Sequence, residues 1–332
     1  MLKLHEITEN INKTPYKGKI LEHEDLSQRT TMKTGGTAAL FLVPQDKKSF
    51  FIAIACLRSL GIPFFILGGG SNVIPPDGEL EAVVVSTEFL DKIEILEADG
   101  KQVLVRCGAG TKTCDLVDFC TDNGLSGLES FAGLPGTAGG AAYMNARCYG
   151  KEVSDVLFSA EYFDLEGIQK ITDFSDNFIE RHLKMYHNIQ KGGDWAYKNS
   201  PFMRSHGFLV ELTFKLAGAD KEQKESIASE CRRYVDDRNA KGHFKAPSAG
   251  SVFKNDRSFG QPSGRLIDEA GLKGRQIGGA QIAPWHGNII INQGKATSSD
   301  IKALVQLVQD EILGRTGFRL KPEIIFIEQN LQ

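Results

Sequence analysis

An α/β or α+β protein with two or three domains and many tight turns is what this sequence predicts, and three observations carry it. Segments of strand-like spacing alternate with segments of helical spacing along the chain. Thirty-five glycines punctuate them. At 332 residues the chain is long enough for more than one core. A hydrophobic content of 41% with 24% charged residues is that of a water-soluble chain. The net charge of -3 and a pI near 6.2 leave no basic field for nucleic acid or a membrane surface. The opening Met1-Leu2-Lys3-Leu4-His5-Glu6 lacks the apolar core of a secretory leader. No apolar run reaches the roughly 20 residues of a membrane span. The six cysteines (56, 107, 114, 120, 148 and 231) include no Cys-x-x-Cys pair. They read as reduced thiols, with neither a disulfide framework nor a metal site, so a cytoplasmic location is expected.

The elements follow in order. Residues 1–30 are polar and mixed in charge, and read as a leading helix or arm. Ala39–Val43 reads as a strand ending at Pro44. Asp46 then caps a helix with Phe50, Ala53, Ile54, Leu57 and Leu60 at helical spacing, closed by Gly61. Phe64–Leu67 is a short strand that runs into Gly68-Gly69-Gly70-Ser71-Asn72. Strands are expected at 82–86, 92–97 and 102–107, the last two joined by an Asp99-Gly100 turn. A helix with Leu116, Val117 and Cys120 on one face runs to Gly124, and strands follow near 157–172 and 208–216. Beyond about 217 come a charged helix with Ile227, Cys231 and Tyr234, a short helix over 264–270 and a buried strand at Ile289–Ile291. Ser298 or Ser299 caps a long helix with Ile301, Leu304, Val305, Val308 and Ile312 facing inward, and a closing strand holds Glu323.

Three glycine-rich stretches bear on chemistry. A strand feeding Gly68–Asn72 sets successive N–H groups in a concave turn that suits phosphate, although such a turn is also a common structural device. Gly108-Ala109-Gly110-Thr111-Lys112-Thr113 lacks the third glycine and the acidic partner of a dinucleotide fingerprint. Between Gly127 and Gly140 stand five glycines and a proline among apolar residues, a pattern unlike an ordinary helix or strand. It suits a buried loop pressed against a flat, phosphate-bearing ligand, and equally a structural turn in a glycine-rich core.

Gly68–Asn72, Gly133-Leu134-Pro135-Gly136-Thr137-Ala138-Gly139-Gly140, Asn145 with Tyr149-Gly150, Gly250–Asn255 and Pro322-Glu323 stand in the order and spacing of a known family. Over residues 30 to 328 the chain resembles UDP-N-acetylenolpyruvoylglucosamine reductases, in the form without an extra tyrosine-bearing loop. The resemblance implies an α+β architecture: an FAD-binding fold of the vanillyl-alcohol-oxidase (PCMH) type in two subdomains, followed by a C-terminal α+β substrate domain. The corresponding boundaries are an arm over 1–30, an FAD-binding domain over 31–217 split near 100, and a substrate domain over 218–332. It implies tightly held, non-covalent FAD, NADPH as hydride donor and an enolpyruvyl sugar nucleotide as substrate, in peptidoglycan precursor synthesis. A monomer is expected. Gly68, Gly69, Gly70, Ser71, Asn72, Gly133, Pro135, Gly136, Thr137, Gly139, Gly140 and Asn145 match the family's cofactor loops. Lys241, Lys254 and Asn255 are expected to meet phosphate or carboxylate, although each could equally be an exposed surface residue, and His286 and Asn288 stand where the family contacts or borders substrate.

In the family's chemistry, hydride reaches the terminal vinyl carbon, and the carbon bearing the carboxylate takes up negative charge and then a proton. By resemblance Ser251 is the proton donor and Glu323 the acid on the enolate side; the plain alternatives are a serine bonded to its own turn and a solvated glutamate. Two positions depart from the pattern. The family's catalytic arginine, in Tyr-Arg-x-Ser-x-Phe, is replaced in Tyr197-Lys198-Asn199-Ser200-Pro201-Phe202 by Lys198, which keeps the charge and loses the fork. Where the family has glycine in Asn-Ala-Gly-x-Tyr-Gly, this chain has Arg147, which supplies the missing guanidinium, binds flavin phosphate or faces solvent. Arg204 lies further past the motif. Against the reductase stand a non-catalytic flavin or nucleotide-sugar binder and another oxidase of the same superfamily. Joint retention of Ser251 and Glu323 speaks against the first, and the motifs of the C-terminal half against the second.

Overall fold

The computed structural model describes residues 3–99, 101–166, 171–188, 194–205 and 207–329, apart from the side chains of Ala98, Lys221 and Glu222. The chain divides into two compact units. The first takes the described residues of Met1–Glu22, Leu40–Gly69 and Ala82–Asp236; the second takes those of His23–Ala39, Gly70–Glu81 and Asp237–Gln332.

The first unit holds two hydrophobic clusters. One surrounds the helix Lys47–Ser59, in which every residue from Ser49 to Leu57 is buried. Its start is fixed as the sequence predicts, because the Ser49 amide donates to Asp46 Oδ1 at 2.7 Å. Its end is fixed by Gly61, which takes a φ of +63° that side chains disfavour. Phe51 meets Phe163 edge to face, with ring centroids 4.9 Å apart. The strands Phe64–Leu67 and Leu80–Ser86 run parallel, Phe64 opposite Val83. The leading segment is more than an arm. Its helix Leu4–Asn12 plants Ile7 and Ile11 in this cluster, and a strand, Gly18–Asp25, follows.

The second cluster lies on an antiparallel sheet, ordered Leu183–His187, Leu157–Asp164, Gly207–Gly218, Gln102–Gly108 and Ile93–Asp99. The last two strands form the expected hairpin; Gly100 of its turn lies outside the described residues, as do 167–170 beyond the strand Leu157–Asp164. The strand Leu183–His187 has no clear apolar alternation, which is why the sequence does not announce it. The helix Thr113–Asp122 buries Leu116, Val117 and Cys120 against this sheet.

The glycine-rich stretch corrects the sequence reading, since part of it is helical after all. A single 3-10 turn, Glu129–Phe131, leads through a loop into the short helix Ala138–Tyr143. Thr137 caps that helix by accepting from the Gly140 amide at 3.3 Å. Glycine is required within it at Gly139, where a Cβ would lie 2.7 Å from the Ala109 carbonyl oxygen.

In the second unit an antiparallel sheet runs Ser248–Ser251, Ile289–Asn292, Ala280–Ile282, Gln276–Ile277. The helix Ser298–Thr316 buries the five apolar residues expected of it. Its cap is Thr297, in a box with Asp300, and neither Ser298 nor Ser299. The amides of those two serines go instead to the Asp77 carboxylate. Glu323 also lies off its expected strand, which is Ile325–Phe326, paired in parallel with Val73–Ile74. Among the described residues no helix is long and apolar enough to cross a membrane.

Candidate active site

Two of the glycine stretches meet in the first unit. A Cβ on Gly68 would lie 2.5 Å from Thr137 Oγ1, and one on Gly69 would lie 2.7 Å from the Gly136 Cα. Only glycine lets the Gly69 and Gly136 backbones touch and Gly68 lie against the Thr137 side chain. Gly136 itself has φ +103° and Gly133 φ +71°, with Pro135 exposed between them. Beneath them runs the Thr111 turn. Thr113 donates to the Gly136 carbonyl at 3.0 Å, and Ala138 donates to the Thr111 carbonyl at 2.8 Å. The turn that failed as a dinucleotide fingerprint is thus the support of the loop that did not.

A backbone census then separates amides used by the fold from amides left over. The Ala138, Gly139 and Gly140 amides are occupied, by Thr111, Ala109 and Thr137. Those of Gly68, Gly69, Gly133, Gly136 and Thr137 have no acceptor among the described residues. Donors without acceptors on two touching glycine loops make a site for an anion, and a pyrophosphate fits that donor set. FAD therefore has a matching cradle in this unit, in which Gly139 and Gly140 serve packing and capping.

Asn145 behaves differently from its expected role at the cofactor. It is fully buried at φ +42°, its amide nitrogen donating to Glu152 Oε2 at 3.1 Å and to the Ala196 carbonyl at 3.0 Å. Its own oxygen accepts from the Ser154 amide at 3.2 Å. Both amide protons are spent on the fold, and they tie the loop carrying Arg147 to the turn carrying Lys198. That turn is tight. Ala196 and Asn199 exchange backbone hydrogen bonds at 3.1 and 3.0 Å, and Lys198 sits at φ +54°. The Arg147 guanidinium lies 5.7 Å from the Tyr197 ring centroid, and the Lys198 ammonium 6.0 Å from the same centroid. The two departures from the family pattern are spatial neighbours. Tyr197 belongs to the motif that marks Lys198, whereas Glu152, beside Arg147, carries no signal in the sequence that singles it out.

In the second unit, distant motifs converge on Glu323. Its amide donates to the Val252 carbonyl at 2.7 Å, and the Lys254 amide donates to the Lys321 carbonyl at 2.9 Å. Asn72 donates through its side chain to the Glu323 carbonyl at 3.1 Å and accepts from the Ile325 amide at 2.9 Å. Gly70, at φ +61°, accepts from the Thr31 amide at 3.1 Å, and the amides of Gly70, Ser71 and Asn72 have no acceptor among the described residues. Ser251 follows Gly250, which sits at φ +73°. Its hydroxyl makes no hydrogen bond to a described residue, so the alternative of a serine bonded to its own turn does not hold. Ser248 takes that part, accepting from the Gly250 amide at 3.5 Å.

The expected substrate contacts divide. Asn288 is buried and brackets Phe253, accepting from its amide at 2.9 Å and donating to its carbonyl at 2.8 Å. Its polar groups hold the Ser251 segment in place. Asn255 accepts from the Ser263 amide at 2.9 Å, and the exposed Lys241 pairs with Asp237 at 2.6 Å. Lys254 and His286 are half-buried. His286 accepts the Asn288 amide on Nδ1 at 3.1 Å, and burial lowers its proton affinity. Beside it stands His243, with ring centroids 5.8 Å apart.

Burial first, then the charges of Arg238, His286 and Lys241, push the His243 pKa down to about 4, against a weaker opposing effect of Asp237. The unfolded chain binds that proton near pH 6.5 and the folded chain only near 4, so this contribution falls as pH drops through that window. For a half-buried ring the screened loss is about 1 kcal/mol. The melting-temperature drop between pH 7 and pH 4.5 is expected to be smaller in His243→Gln by roughly 2–4 °C. Identical drops in the two proteins would refute this role.

Known proteins of one family resemble this chain over nearly its whole length. Residues 242–327 match the C-terminal domain of UDP-N-acetylenolpyruvoylglucosamine reductase, and residues 38–172 match an FAD binding domain. The chain is 42% identical to a UDP-N-acetylenolpyruvoylglucosamine reductase of Treponema denticola, over 93% of this chain and 94% of that one. It is 37% identical to that of Borreliella burgdorferi, over 92% and 93%. The crystal structure of the reductase from Thermus caldophilus superposes with a TM-score of 0.69 at 28% identity, covering 94% of this chain and 99% of that one. The expected α+β architecture, an FAD-binding fold with a further C-terminal domain, agrees with these matches. The chain belongs to the UDP-N-acetylenolpyruvoylglucosamine reductase family.

Proposed function

We propose that this protein reduces UDP-N-acetylglucosamine enolpyruvate to UDP-N-acetylmuramate with NADPH, through non-covalently bound FAD, in peptidoglycan precursor synthesis. The observation that carries the reading is the pair of touching glycine loops, whose amides at Gly68, Gly69, Gly133, Gly136 and Thr137 have no acceptor among the described residues, in a chain of this family. Bound FAD supplies a store for the hydride between the nicotinamide and the enolpyruvyl double bond. The amides of Gly68, Gly69, Gly133, Gly136 and Thr137 hold its phosphates.

The remaining chemistry falls to side chains. Hydride addition to the terminal vinyl carbon leaves an electron pair on the carbon bearing the carboxylate, delocalised as an enolate. Arg147 and Lys198 are assigned the carboxylate, Glu323 the acid on the enolate side, and Ser251 Oγ–H the proton that completes the saturated product. Support for Ser251 is a hydroxyl unclaimed by its own turn; support for Glu323 is its backbone tie to the Ser251 segment. Lys241, Lys254, Asn255 and His286 are assigned to the substrate side, largely within the C-terminal part from 218 onward. A monomer acting in the cytoplasm accords with a soluble sugar-nucleotide substrate.

The test is anaerobic. The purified protein is expected to be yellow, to bleach with NADPH and to regain colour with UDP-N-acetylglucosamine enolpyruvate. A protein that bleaches and is not recoloured by that substrate would show the function to be wrong.

A further inference from the structure

We infer that Arg147 and Lys198 form a two-cation clamp for the carboxylate of the substrate, set in place by Asn145 as a positioning residue. The inference rests on the proposed reaction and specifies who holds the carboxylate. Three observations support it. Both cations lie near one ring, that of Tyr197, at 5.7 and 6.0 Å from its centroid, where the ring face attracts positive charge. The Arg147 Nε stands 3.8 Å from Glu152 Oε1, close enough to be oriented by its charge and too far for a hydrogen bond. The guanidinium makes no hydrogen bond to any described residue, so its planar fork is available to a carboxylate. Against its being a mere surface charge, its side chain is only 33% exposed and is held by a glutamate that is itself anchored.

The anchor is Asn145. One buried amide grips Glu152, the counter-ion of Arg147, and Ala196, the first residue of the turn that presents Lys198. Moving either loop would separate the cations. A lysine alone offers a point charge; paired with the neighbouring guanidinium it regains the two-pronged geometry that a planar carboxylate selects. The clamp thus restores on two residues what one arginine would do on one.

The experiment compares two ligands on the oxidised holoenzyme: the enolpyruvyl sugar nucleotide and UDP-N-acetylglucosamine, which lacks the carboxylate. Titration into Arg147→Met, Lys198→Met, the double variant and Asn145→Asp reads the flavin absorbance shift or the heat. Asn145→Asp keeps the size and tolerates positive φ while losing both donors. Each single cation variant is expected to weaken the enolpyruvyl ligand about 10- to 100-fold and leave UDP-N-acetylglucosamine within about two-fold. The double variant should lose less than the product of the singles, since both serve one carboxylate. Asn145→Asp should raise KM for the enolpyruvyl substrate while NADPH bleaches the flavin at the wild-type rate. Wild-type discrimination in Arg147→Met, or equal weakening of both ligands, overturns the clamp. Failure of the wild-type protein itself to turn over substrate overturns the reaction instead.

Discussion

Ser251→Ala should still be bleached by NADPH at the wild-type rate, yet form product from the enolpyruvyl sugar nucleotide about 10²- to 10⁴-fold more slowly, the range a positioned general acid contributes. The two half-reactions part because only the second needs a proton on carbon. Stability should move by less than about 0.5 kcal/mol, because the hydroxyl lost has no partner in the described residues and the site is half-buried. Ser251→Cys should recover part of the rate, since a thiol can also deliver a proton. The neighbouring Ser248 provides the control. Its hydroxyl is bound to the Gly250 amide, so Ser248→Ala should loosen the turn without separating the half-reactions. The measurement is stopped-flow absorbance of each half-reaction; equal second half-reactions in Ser251→Ala and wild type would remove Ser251 from the chemistry.

Which contacts a sequence announces and which it hides has a physical answer. A cap such as Asp46, or a glycine demanded by contact such as Gly69, acts on neighbours or through a property no other residue has, so the local string carries it. Asn72, Asn145 and Asn288 look like ligand contacts because side-chain amides beside glycine motifs commonly are. In the structure each is a brace, and its partners lie 251, 51 and 35 residues away. No periodicity reports such a bond. The same distance problem hid Glu152, whose importance lies in sharing the Asn145 amide with Ala196. Thr297 was passed over for the serines beside it because the competing acceptor, Asp77, is 221 residues from Ser298. That two short stretches ahead of residue 82 join the C-terminal unit leaves no mark in composition either.

Gly69→Val is expected to yield a folded, colourless protein, with FAD affinity lowered by at least about 10²-fold, the equivalent of one or two charge-assisted hydrogen bonds. Gly69 is absent from the positive-φ glycines, so a side chain there does not have to adopt the left-handed backbone conformation. The obstacle is wholly the close approach. A Cβ at Gly69 would lie 2.7 Å from the Gly136 Cα and 3.1 Å from the Gly136 carbonyl carbon, main-chain atoms that cannot swing aside as the tip of a side chain can. The two loops must separate, and their amides then no longer converge on one anion. Gly140→Ala isolates this effect. Its Cβ would meet only Thr137 Oγ1, at an ordinary 3.5 Å, and alanine favours the short helix it sits in. That variant should stay yellow at the wild-type flavin-to-protein ratio. The ratio is read from the visible spectrum after purification, with a thermal melt to confirm folding. A yellow Gly69→Val at full occupancy would mean that these amides do not hold the cofactor, and that the glycines at 69 and 136 serve only to let two chains cross.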